Sequence, residues 1–298
     1  MPRQVTIAAV QLPDLRETFG ADEPNAARRA RNLAAAEAWL AKAGERGADI
    51  ACLGESFTTN GLQLTAANLR EEIEQGLDKI VTRIGAIARG HNMAVIAPVW
   101  AVLDGASRNI AALLDRAGRF AGGYCKVHCT ESERDLGIVP GDAWPTFDLA
   151  LAGGSARVGI QICHDNSFPE SARCLALNGA EIIFTPHVMS GWGDEFMDVL
   201  LRGPAIYNGI HHVPVCFGRP PGRAWKPGML IGRSSIIRPD GTFAADAGRS
   251  EGIALATIDL DAPRIAHDFT RRGEHVFRAD MLNDRRPETY APLTRSKP

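Results

Sequence analysis

Residues 157–187 read RVGIQICHDNSFPESARCLALNGAEIIFTPH, and this stretch decides the fold class. Val158, Ile160 and Ile162 alternate along an apolar strand that ends directly at Cys163, Pro169 and Glu170 open a helix that closes near Gly179, and EIIFTPH is a second apolar strand. Strand, sharp turn, helix and strand is the pattern of a parallel sheet covered by helices. The same pattern occurs upstream: VTIAAVQL, a helix from Pro24 to Arg46 stopped by Gly47, the strand ADIACLG, a helix from about Ala66 to Arg89, and the strand MAVIAPVWAVL. Asn109–Leu114 and Gly122–His128 then read as strands joined through RAG at 116–118. Downstream come a helix around Phe196–Asn208, the strand VPVCFG, SSIIRP and GTFAADA flanking the turn dipeptide Asp240-Gly241, and a last strand GIALATIDL. Two similar α/β halves with no low-complexity linker predict one α/β domain over residues 1–270. Residues 271–298 are charged, proline-containing and poorly periodic, a tail that needs another surface to order it.

Of the 298 residues, 45% are hydrophobic and 23% charged, enough apolar material for a core and too balanced for disorder. The formal charge is −2, which removes the general attraction a nucleic-acid binder draws on. No stretch approaches the roughly 20 apolar residues that cross a bilayer, and MPRQVTIAAVQLP does not read as a signal peptide, so a cytoplasmic location and no membrane partner are expected. The six cysteines are too few and too scattered for a disulfide scaffold and are expected to be free thiols.

Three side chains stand where packing has no use for them. Cys163 ends a strand just before a helix, a turn that holds a nucleophile at the sheet's C-terminal edge, where free backbone N–H groups lower a thiol pKa or bind an oxyanion. Glu55 ends the strand ADIACLG and could serve a thiol as base. Lys126 interrupts the apolar run GGYCKVHC, where it would share a strand face with His128, and a buried lysine demands a carboxylate partner. That alternation also turns His128 away from Cys125 and Cys129, against a zinc site. Taken singly, each has a plainer explanation: a core cysteine, a solvated glutamate, a snorkelling lysine.

Together the segments are more specific. GADIACLGESF around Glu55, GGYCKVHCTESERDLGIVPGD around Lys126 and the quoted stretch around Cys163 resemble, in order and spacing, the three motif blocks of the nitrilase or carbon–nitrogen hydrolase superfamily, with weaker similarity over roughly residues 4 to 262. The resemblance implies an α/β fold, a four-layer α-β-β-α sandwich of two mixed sheets. It makes Cys163 the nucleophile, Glu55 the general base and Lys126 the oxyanion's cation, with Glu133 as a second glutamate that positions substrate or catalytic groups; Glu131 competes for that place. The His164 N–H would be the second oxyanion donor, and Asp165, Phe168, Pro169 and Glu170 would be structural. No cofactor and no metal are implied. The resemblance also implies a homodimer or higher homo-oligomer, with the tail crossing to its partner.

Within the family, Cys163, His164, Asp165 look more like amidase and carbamoyl-hydrolase members than nitrilases, which usually carry Trp and Glu after the cysteine. N-carbamoyl-D-amino acid hydrolases usually place arginines a few residues further on, where this chain has Asn166 and Ser167. The expected activity is hydrolysis of a small linear amide or N-carbamoyl compound through a thioester; the alternatives are a nitrilase, an acyl transferase or a non-catalytic member of the fold. Substrate contacts are expected from His164, Asn166, His187 and Trp192, with Trp225 equally able to cover core or a subunit contact. Asp194, Glu195 and Asp198 read as a solvated helix start, and the neighbours His211 and His212 point oppositely on a strand and are no metal pair.

Overall fold

The computed structural model describes residues 2–295 except 75, 192–193, 220–222, 263–264, 268–273 and 277–281. The chain runs β1 (Gln4–Gln11), α1 (Asn25–Glu45), β2 (Ile50–Leu53), α2 (Leu69–Ile73), α3 (Gly76–Gly90), β3 (Ala94–Leu103), β4 (Ala106–Leu114), β5 (Phe120–Cys125) and α4 (Glu131–Asp135). It continues through β6 (Thr146–Leu151), β7 (Gly154–Ile160), a 3-10 helix Cys163–Ser167, α5 (Pro169–Leu177), β8 (Ile182–Pro186), α6 (Asp194–Asn208), β9 (His211–Val215), β10 (Ser235–Ile237), β11 (Phe243–Asp246) and β12 (Gly252–Asp259).

Two six-stranded mixed sheets result, in the orders β12-β1-β2-β3-β4-β5 and β11-β10-β9-β8-β7-β6. In each, three central strands are parallel, β1-β2-β3 and β7-β8-β9, and the flanking pairs are antiparallel. The period-two patterns say why the sheets stack. Ile7, Ala9, Ile50, Cys52 and Ile96 of the first sheet and Val158, Ile160, Ile182, Phe184 and Val213 of the second are buried in one shared core. The alternate residues face helices: Ala8, Val10, Ala51, Leu53, Val95 and Ala97 pack with Leu33, Leu40, Ile80 and Ile84 of α1 and α3, and Ile183 packs with Leu175 and Ala176 of α5. This is the α-β-β-α sandwich.

Three sequence expectations change. The helix expected over 66–89 is two, α2 and α3, with Gly76 opening the second at a point where a Cβ would lie 2.7 Å from the Trp100 carbonyl oxygen. The strand at 122–128 stops at Cys125, so Lys126 and His128 share no strand face; each is turned to a different carboxylate. β6 was not expected from the pattern, because TFDLAL carries alternation on one short edge strand. In the tail region, Ile265–His267 pairs with Glu274–Val276, and Pro287–Thr289 and Ala291–Thr294 are 3-10 turns that leave Tyr290 and Leu293 exposed.

Candidate active site

The expected groups meet at the C-terminal ends of strands from both sheets. Glu55 follows β2 by two residues, Lys126 follows β5 directly, and Cys163 follows β7. Lys126 Nζ lies 2.9 Å from Glu55 Oε1 and 2.8 Å from Glu133 Oε2, and all three side chains are buried. Glu133 reaches it from α4, whose start it also secures: Thr130 N–H donates to Glu133 Oε2 (2.8 Å) while Thr130 Oγ1 accepts from Glu133 N–H (3.3 Å). Glu131, one turn position away, is exposed. The structure therefore brings Glu133, not Glu131, to the lysine.

Asn109, which the sequence reading passed over, closes the cluster. Its Nδ2 donates to Glu55 Oε1 (2.8 Å) and to Glu133 Oε1 (2.7 Å) from the start of the apolar stretch of β4. A polar residue heading the run NIAALL was the available signal, too weak to act on alone. Two carboxylates, one ammonium and one amide leave the cluster with one net negative charge in a buried place. Burial works against the charges of Lys126 and Glu133. For Lys126 it is outweighed by Glu55 and Glu133, which hold the ammonium charged; for Glu133 it is outweighed by Lys126, Thr130 and Asn109, which hold the carboxyl below its ordinary range.

Cys163 has a backbone φ of 47°, a left-handed conformation that costs a non-glycine residue about 1–2 kcal/mol. The turn is held from behind by Asp165, which is fully buried. Its Oδ2 accepts from Tyr124 Oη–H (2.7 Å) and Ile162 N–H (2.8 Å), and its Oδ1 from His128 N–H (2.9 Å) and lies 2.9 Å from His128 Nδ1. The thiol's pKa is pushed well up, first by burial and then by the charge of Glu55, while Lys126 and the Val188 N–H pull it down. A resting thiol is thus neutral, and it must lose its proton at the moment of attack. Glu55 Oε2 is buried without a hydrogen-bond partner.

The remaining expected residues separate. His164 is half-buried, edge-on to Phe168 at 5.1 Å between ring centroids. His187 directly follows β8 and is fully buried; its Nδ1 accepts from Met189 N–H (3.3 Å), its Nε2 has no partner, and burial pushes its pKa down to about 3. Asn166 is buried; its Oδ1 accepts from Gln161 (2.7 Å) and its Nδ2 donates to the Leu200 carbonyl (3.0 Å). Trp192 lies outside the described residues. Trp225 packs against Arg249 and donates to the Leu230 carbonyl (3.1 Å). All six cysteines are free, and among the described residues no group of three or more His, Cys, Asp or Glu side chains is arranged to hold a metal ion. Among the same residues no helix is long and apolar enough to cross a membrane.

With this geometry in place, comparison with known proteins is decisive. The carbon–nitrogen hydrolase family model matches residues 6–265. The chain belongs to the carbon–nitrogen hydrolase family. The hydrolase is 30% identical over 260 residues to a hydrolase in the pqqF 5′ region of Pseudomonas protegens, covering 83% of this chain and 81% of that one. It is 27% identical to the N-carbamoylputrescine amidase of Arabidopsis thaliana (88% and 89% covered) and 27% identical to the deaminated glutathione amidase of Synechocystis sp. (77% and 86%). Its fold matches the crystal structure of an amidase from Nesterenkonia sp. with a TM-score of 0.74 at 22% identity, over 98% of this chain and 97% of that one.

Proposed function

We propose that Cys163 attacks the carbonyl carbon of a small linear amide or N-carbamoyl compound, with Glu55 as base and Lys126 as oxyanion donor. The observation that carries this is the neutral, strained Cys163 thiol set beside a buried Glu55–Lys126–Glu133 cluster. Glu55 takes the thiol proton as the C–S bond forms, and Lys126 Nζ and the His164 N–H receive the negative oxygen. The tetrahedral adduct collapses, the C–N bond breaks, and the proton on Glu55 leaves with ammonia or the amine. Water, deprotonated by Glu55, then attacks the thioester; its C–S bond breaks, the acid departs and the thiol regains its proton. Glu133 and Asn109 hold Lys126 and Glu55 in place throughout. The substrate class is supported by relatives named as amidases of deaminated glutathione and of N-carbamoylputrescine, and by the Nesterenkonia amidase that carries the acetamide moiety of fluoroacetamide covalently on its active-site cysteine.

The test is a panel of primary amides, N-carbamoyl compounds and nitriles, scored for ammonia and for the product acid, with Cys163→Ala as the blank. Turnover of amides or ureides that vanishes in the variant supports the reading; turnover of nitriles alone overturns it. We further propose that the enzyme is cytoplasmic and a homo-oligomer, the latter supported by Leu177, Phe196, Val199 and Tyr207, which α5 and α6 leave exposed, and by Tyr290 and Leu293 in the 271–298 tail, which would pack on the partner. Sedimentation of the intact protein and of Tyr207→Glu tests this; a monomer in the unmodified protein overturns it.

A further inference from the structure

Behind Cys163, on the face of the second sheet covered by α6, runs a chain of buried polar side chains that the chemistry above does not use. Gln161 Nε2 donates to Asn166 Oδ1 (2.7 Å) and to Thr185 Oγ1 (3.0 Å), Thr185 Oγ1 lies 2.6 Å from His212 Nε2, and His212 Nδ1 lies 2.6 Å from the Leu201 carbonyl. At the other end Asn166 Nδ2 donates to the Leu200 carbonyl at 3.0 Å. The two carbonyls can only accept, so Asn166 donates through Nδ2 and His212 through Nδ1; burial pushes the His212 pKa down to about 4, so its ring is neutral and Nε2 accepts Thr185 Oγ1–H. Both ends of the chain are thus adjacent carbonyls of one helix.

A helix does not normally have carbonyls to spare in its interior, because each accepts the N–H four residues on. Pro204 lies inside α6 and has no N–H, and its ring crowds the carbonyl four residues before it, which is Leu200. That freed oxygen is the one Asn166 holds. Asn166 is the fourth residue of the 3-10 helix Cys163–Ser167, so its grip fixes the nucleophile's own turn against α6. The left-handed backbone of Cys163 needs such support, since a strained conformation persists only where its surroundings over-determine it.

We propose that Asn166 is a positioning residue for Cys163, gripping the Leu200 carbonyl that Pro204 frees in α6 and so setting the nucleophile's turn against the helix. The inference rests on Cys163 being the nucleophile, and the experiment separates the two. Steady-state kinetics, thermal midpoint and the rate of iodoacetamide labelling at Cys163, located by peptide mass, are measured for the intact enzyme, Asn166→Leu, Pro204→Ala and Cys163→Ala. For Asn166→Leu kcat should fall about ten- to a hundredfold, the loss expected from an ångström-scale misplacement, with KM changed less than about twofold and labelling slowed in parallel. Pro204→Ala returns a competing N–H and straightens α6; it should fold at least as stably as the parent, yet turn over and label more slowly. That variant decides the matter if Asn166→Leu does not fold. A raised KM with unchanged kcat in Asn166→Leu, a lowered thermal midpoint with unchanged kcat and labelling, or a Pro204→Ala enzyme as fast as the parent overturns the proposal. If Cys163→Ala retains turnover, the nucleophile assignment itself fails.

Discussion

Replacing Asn109 by leucine, of nearly the same shape, probes how the buried charge cluster is kept ionised. Asn109 Nδ2 makes two hydrogen bonds to carboxylates, at 2.8 and 2.7 Å, each worth about 1.5–3 kcal/mol when the acceptor is charged. Against that loss of about 3–6 kcal/mol, the substitution also removes the Asn109 carbonyl oxygen, which is buried without a partner at a cost of about 1–3 kcal/mol. The net expectation is a destabilisation of about 0–5 kcal/mol, centred near 2–3 kcal/mol. The lost donors stabilised the ionised carboxylates, so proton uptake by the cluster becomes easier. Since about 1.4 kcal/mol corresponds to one pH unit, the acid limb of kcat/KM should move up by about one to two units. Urea midpoints and a pH–rate profile on one active substrate measure both. An acid limb within about 0.3 units of the parent, with an unchanged urea midpoint, would refute the assignment of Asn109 as the donor that holds this cluster ionised.

Other outcomes follow from the same geometry. Lys126→Met should abolish turnover and cost about 3–5 kcal/mol in urea unfolding, because it leaves two carboxylates buried without their cation; a stable, active variant would remove the lysine from the chemistry. Glu133→Gln should lower kcat at least tenfold while Glu131→Gln, at an exposed site, changes it less than about twofold; equal effects would contradict the observed placement. His187 and His212 are buried and neutral, with pKa values pushed down to about 3 and about 4, against about 6.5 in an unfolded chain. Below pH 6.5 the unfolded chain therefore binds protons that the folded one does not. Each histidine then removes about 1.4 kcal/mol of stability per pH unit, until pH reaches about 4 for His212 and about 3 for His187. His212→Gln should flatten the fall of the urea midpoint between pH 6.5 and 5, and an unchanged slope would count against a buried neutral ring.

The legible part of the site was the part tied to strand ends. Cys163 and Glu55 each terminate an apolar run, and a reactive group at a strand's C-terminal edge shows in one dimension because the alternation that precedes it is local. Lys126 was found as an ion out of place in an apolar segment, although the reason given for its orientation was wrong: β5 had already ended. In CTESERDLG the resemblance favours Glu133 with Glu131 as a competitor two residues away on one helical turn, and the docking of α4 against Lys126 is what brings Glu133 to the lysine.

The sequence by itself determined the α/β class, the two repeated strand–helix halves and the three reactive residue types, because hydrophobic period and strand termini are properties of short windows. Contacts between distant segments were decided by the tertiary structure alone. Asn109 joins Glu55 to Glu133, Tyr124 and His128 hold Asp165, and Asn166 bonds the Leu200 carbonyl. Each of these is a hydrogen bond whose partner is fixed by how the sheets, turns and helices pack, and whose necessity comes from burial: a polar group enclosed by that packing must find a partner there or lose more than it can contribute.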